Sequence, residues 1–69
     1  MKLLDVVALM DDVPRAGLRR GQVGTIVEML APGVFEVEFC GLDGASYASL
    51  AIEERRLMPL HHEPSPAHP

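Results

Sequence analysis

From Gly17 to Phe39 the chain reads G-L-R-R-G-Q-V-G-T-I-V-E-M-L-A-P-G-V-F-E-V-E-F. Two β-strands joined by a tight turn account for this stretch. In Val34-Phe35-Glu36-Val37-Glu38-Phe39, the apolar Phe35, Val37 and Phe39 alternate with Glu36 and Glu38, which is the period of a half-buried antiparallel strand. Ala31-Pro32-Gly33 precedes it, with proline fixing one turn dihedral and glycine accepting a positive one, so the chain reverses there. Before the turn, Val23 to Leu30 is rich in β-branched residues, with Val23, Thr25, Val27 and Met29 on one face and Ile26, Glu28 and Leu30 on the other. Gly24 inside that run suits a bulge or a sharp bend, as a small curled barrel needs at its corners.

Working outward, Leu3 to Met10 reads as a first strand that is apolar on both faces except for Asp5, with a short helix as the alternative. Cover on both sides makes it the leading candidate for a subunit contact. Asp11 to Gly17, with an acidic pair, Pro14 and Gly17, reads as a loop of moderate length, and the backbone is expected to turn at Gly17 and again at Gly21. Beyond the hairpin, Cys40 to Gly44 carries the reversal pair Asp43-Gly44. Ala45 to Ile52 follows as a fourth strand, with Leu50 and Ile52 inward and Tyr47 at a surface. Glu53-Glu54-Arg55-Arg56 suits a single 3₁₀ turn before a last short strand, Leu57 to Leu60, in which Pro59 marks an edge or an end. The expected fold is therefore all-β: a small five-stranded, SH3-like, partly open barrel over residues 1–60. Residues 61–69, H-H-E-P-S-P-A-H-P, read as a disordered tail without apolar periodicity.

Bulk properties narrow the function classes. At 69 residues the chain is near the lower size at which one core holds a fold unaided. Its single cysteine, Cys40, makes no internal disulfide, and there is no Cys/His quartet for structural zinc. A hydrophobic content of 48% in so short a chain therefore points to surface buried between subunits, most simply in a homodimer. Ten acidic against six basic residues give a net charge of -4, which disfavours a surface built to neutralise phosphates. No signal peptide is visible and no apolar run is long enough for a membrane helix, so a cytoplasmic protein is expected.

No catalytic constellation emerges. Gly21 and Gly24 lack the Lys-Ser/Thr of a phosphate loop and the strand and helix of a dinucleotide fingerprint. Cys40 at a strand end reads as an inert small hydrophobe, and His61, His62 and His68 lack a sulfur or carboxylate partner at fixed spacing. No catalytic, cofactor-binding or metal-binding residue is assigned. The candidates for partner contact are Leu4, Val6, Met10, Asp11, Asp12, Arg19, Arg20 and Tyr47. Nucleic-acid binding would require Arg15, Arg19, Arg20, Arg55 and Arg56 to converge.

M-K-L-L-D-V-V-A-L-M-D-D, G-L-R-R-G-Q-V-G-T-I-V-E, G-V-F-E-V-E-F and L-D-G together resemble a family of uncharacterised bacterial proteins classed as a domain of unknown function. The resemblance covers Met1 to Leu60 and departs from the family pattern at Ala45-Ser46 and in the His/Pro tail. The family is similar in design to other SH3-like modules, including the KOW type, whose core Gly21-Gln22-Val23-Gly24-Thr25-Ile26 resembles. The resemblance implies a barrel without an implied chemistry, and a gene neighbourhood that includes toxin-like reading frames. The function expected is a non-enzymatic protein-interaction module that self-associates. An antitoxin or immunity-type partner of a neighbouring gene product and an RNA- or DNA-binding KOW-like module are the alternatives.

Overall fold

The computed structural model describes residues 1–41 and 44–61, without the side chain of Ser46. Five antiparallel strands form one sheet that does not close: β1 (Val6–Leu9), β2 (Val23–Ala31), β3 (Val34–Cys40), β4 (Ser46–Glu53) and β5 (Leu57–Pro59), in the spatial order β4-β3-β2-β1-β5. Short 3₁₀ turns at Pro14–Ala16 and Glu54–Arg56 complete it. The all-β architecture, the open sheet and the 3₁₀ turn before the last strand are those the sequence predicts. The His61–Pro69 tail lies outside the described residues apart from His61.

The β2–β3 hairpin is the centre of the sheet. Ala31 pairs with Val34 across Pro32-Gly33, and Gly33 takes φ +74°, the positive dihedral that this turn demands. From β3, Phe35, Val37 and Phe39 point into the core at 2% exposure or less. Val7, Leu9, Ile26, Ile52 and Leu57 meet them from the other four strands. Glu36 and Glu38 take the opposite face, as their alternation requires.

Several boundaries differ from the sequence reading, each for a physical reason. β1 spans Val6–Leu9 rather than Leu3 to Met10. Asp5 closes a turn on Lys2: its N–H donates to the Lys2 carbonyl at 3.2 Å, and its carboxylate accepts the Lys2 N–H at 2.9 Å. Leu4 sits in that turn at φ +71°. The bend expected at Gly24 is a close approach instead. A Cβ there would stand 2.7 Å from Val37 Cγ1, while the register shifts of β2 fall between Ile26 and Glu28 and between Met29 and Ala31.

The loop after β1 is more ordered than its composition suggests. Val13 bridges Leu18, and both are buried at 3% and 1%, tucked under the sheet by the 3₁₀ turn between them. The backbone reverses at Gly17 and Gly21 as expected. The turn after β3 is closed by the Gly44 N–H on the Gly41 carbonyl at 2.9 Å, while Leu42 and Asp43 lie outside the described residues. β5 ends at Pro59, at the sheet edge, so Leu60 follows the strand rather than belonging to it.

Candidate functional site

The face of the sheet turned away from the core divides into two halves. Ala8 pairs with Met58 on one side and Val23 on the other, so an apolar row crosses β5, β1 and β2. Met58 and Val23 are 50% and 49% exposed, and Met10, two residues after Ala8, is 48% exposed. Val6, on the same face as Ala8, is half-buried and pairs with Thr25. Met10, Met58, Ala8 and Arg20 line one shallow depression at the end of this row.

The second half is acidic. Thr25 pairs with Glu38 and Glu38 with Ser49, while Glu28 pairs with Glu36 and Glu36 with Ala51. Three glutamates thus share one face of β2 and β3. The Ser49 hydroxyl donates to Glu36 Oε2 at 2.5 Å, which draws that carboxylate towards β4. Among the described residues the ion pairs are Arg55–Glu53 and Arg56–Asp11, and neither involves Glu28, Glu36 or Glu38.

The sequence candidates do not gather in one place. Val6 and Met10 lie on or at the end of the apolar row, with Arg20 beside Met10. Leu4 is exposed at 74% in its turn, at the opposite end of β1. Tyr47, 51% exposed on β4, accepts a hydrogen bond from Gln22 Nε2 at 2.6 Å, which ties it to the residue before Val23. Asp11 and Asp12 serve the local frame: Asp11 pairs with Arg56 Nε at 3.0 Å, and the Asp12 carboxylate accepts the Arg20 N–H at 2.8 Å. Arg19 belongs to the loop, where its N–H donates to Gln22 Oε1 at 2.6 Å.

Ala8, Val23 and Met58 are absent from the candidates read off the sequence. Val23 carried a signal, since it stands out of phase with the buried Ile26. Met58 carried none, because three residues of β5 are too few to define a period.

Two of the five arginines are engaged by carboxylates. Arg55 faces Glu53 and Arg56 faces Asp11, and the Arg56 guanidinium also donates to the Asp12 carbonyl at 3.3 Å. Cys40 ends β3 as expected but is exposed, with Sγ 4.0 Å from Glu38 Oε1, because its place in the alternation turns it from the core. No group of three or more His, Cys, Asp or Glu among the described residues is placed to hold a metal ion. No helix among them is long and apolar enough to cross a membrane.

No curated protein and no solved structure matches the chain. Residues 3–59 match the family described as Domain of unknown function (DUF4926), and with most of its length inside that match the chain belongs to this family.

Proposed function

We propose that the protein is a non-enzymatic interaction module that self-associates through the outward face of β1. The observation that carries this reading is the apolar row Met58–Ala8–Val23 with Met10 beside it, in which Met58, Val23 and Met10 are half exposed on the side of the sheet opposite the core. Contiguous apolar surface of this kind marks contact sites rather than ordinary solvated surface. Ala8 is small enough to let another backbone approach, and the flanking methionines are flexible enough to fill what remains.

The occupant favoured is a second copy. Each chain carries a net charge of -4, so two copies repel wherever carboxylates meet. Val6, Ala8, Met10, Val23 and Met58 bear no charge, and a two-fold contact centred on them sets like against like without that penalty. A nucleic-acid reading has less support, since Arg55 and Arg56 are already engaged by carboxylates.

The test is the solution mass by light scattering of the full chain, of a version ending at Leu60, and of Met58→Glu. A dimer in the first two and a monomer with unchanged circular dichroism in the third agree with the proposal. A monomeric full chain, or a Met58→Glu dimer as tight as the parent, rejects it.

A further inference from the structure

We propose that the outer edge of β4 is a docking site for an extended segment of a protein partner that alternates apolar and basic residues. This site is separate from the outward face of β1 and does not depend on it.

β4 ends the sheet, and it is an unusually receptive edge. Its pairing with β3 runs without interruption from Val34↔Glu53 to Phe39↔Ala48, six consecutive pairs that keep the strand regular. Tyr47 to Ile52 contains no charge and no proline, the usual protections of an edge. Among the described residues, no strand other than β3 pairs with it, so alternate N–H and C=O groups along its outer side are offered to an added strand. The core is also incompletely covered here: Ala48 and Leu50, on the inner face, pack against it while only partly buried.

The chemistry of the partner follows from the register. Two outer-face rows run towards this edge: Val6–Thr25–Glu38–Ser49 and Glu28–Glu36–Ala51. An added strand would place one residue beside Ser49 and another, two positions away, beside Ala51, both on the outer face. Ser49 and Ala51 are small, so long side chains at those two positions pass over them. Glu38 and Glu36 lie about two strand spacings away, roughly 9–10 Å, within the combined reach of a lysine or arginine and a glutamate. Glu36 already leans that way through its bond from Ser49. The residue between the two cations falls beside Leu50 on the inner face, where an apolar side chain completes the cover. The segment read is basic–apolar–basic.

A second copy fits this edge poorly. Its own β4 would bring Tyr47, Ser49, Ala51 and Glu53 to the outer face, no cation among them. The Glu28, Glu36 and Glu38 charges would stay uncompensated while two acidic chains were brought together.

The test uses a blocked heptapeptide, threonine-valine-lysine-valine-lysine-valine-threonine, titrated into the full-length protein and followed by backbone amide NMR shifts. One control replaces both lysines with glutamate; another methylates the peptide nitrogens on each of its two edges in turn. Expected are shifts concentrated at Ser49 to Ile52, no binding by the glutamate peptide, and loss of binding when one of the two edges is methylated. Glu36→Gln with Glu38→Gln should weaken binding by about fivefold, the size of two partly exposed ion pairs. Equal binding by both methylated peptides would show charge adsorption only and overturn the proposal, as would an unchanged affinity in the double variant. Dilution-dependent shifts of the Ser49 to Ile52 amides without peptide would assign the edge to a second copy and also overturn it. Met58→Glu should bind the peptide as the parent does, so failure of the β1 contact and failure of this site are read separately.

Discussion

Gly24 of β2 lies directly against Val37 of β3, so that a Cβ at Gly24 would come within 2.7 Å of Val37 Cγ1 and 2.9 Å of both the Glu38 carbonyl and Phe39 Cδ1. One of these three neighbours is backbone, and the other two are core side chains with 0% exposure, so little can give way. Gly24→Ala should therefore cost about 3 kcal/mol, the upper part of the range for overpacking. Gly33→Ala should cost about 1 kcal/mol, since its Cβ meets open space and only the positive φ is strained. Urea unfolding midpoints should rank parent, Gly33→Ala and Gly24→Ala in falling order. A Gly24→Ala midpoint within error of the parent would contradict the close approach.

Leu4 is held at φ +71° with its side chain 74% exposed, an arrangement that favours neither the backbone nor the side chain in an isolated chain. Asparagine tolerates this region better than leucine. Leu4→Asn should raise monomer stability by about 0.5–1 kcal/mol in urea unfolding, with the fold unchanged by circular dichroism. A loss of stability would show that the leucine side chain contributes packing beyond its visible contacts.

Glu28 and Glu36 face each other across β2 and β3. Like charges directly opposite destabilise a sheet, and opposite charges support it. Glu28→Lys should raise stability by about 0.5 kcal/mol at low salt, and the gain should shrink as salt is added. A salt-independent change would trace to something other than the charge pair.

Phe39 is the largest of the fully buried side chains. Phe39→Ala should cost about 3–5 kcal/mol. A chain of this size holds only about 3–10 kcal/mol in all, so the variant should lose a large share of its stability, read as a steep fall in its urea midpoint by circular dichroism. Phe39→Leu should keep the fold with a lowered midpoint.

The hairpin was legible in the sequence because its signals agree: Phe35, Val37 and Phe39 alternate with glutamates, and Pro32-Gly33 supplies the turn that joins β2 to β3. The 3₁₀ turn at Glu54–Arg56 and the edge position of Pro59 were legible for similar local reasons. The N-terminal limit of β1 was not, because apolar Leu3 and Leu4 extend its pattern into a turn set by Asp5. Val13 and Leu18 were hidden because polar and turn residues surround them, and only the tertiary fold brings them under the sheet. The apolar row was partly visible: Val6, Ala8 and Met10 share one face of the first strand by their alternation, whereas Val23 and Met58 join them only through the pairing of three strands. The acidic rows likewise depend on register, which places Glu28 beside Glu36 after the shift in β2.

The most direct test of the β1 contact is an isotope-filtered NOE experiment on a mixed sample of labelled and unlabelled chains. Intermolecular NOEs should link the Met10, Met58 and Val23 methyl groups of one copy to the same face of the other. A dimer whose intermolecular NOEs fall instead on Val27, Met29 and Leu30, or on β4, would contradict the account.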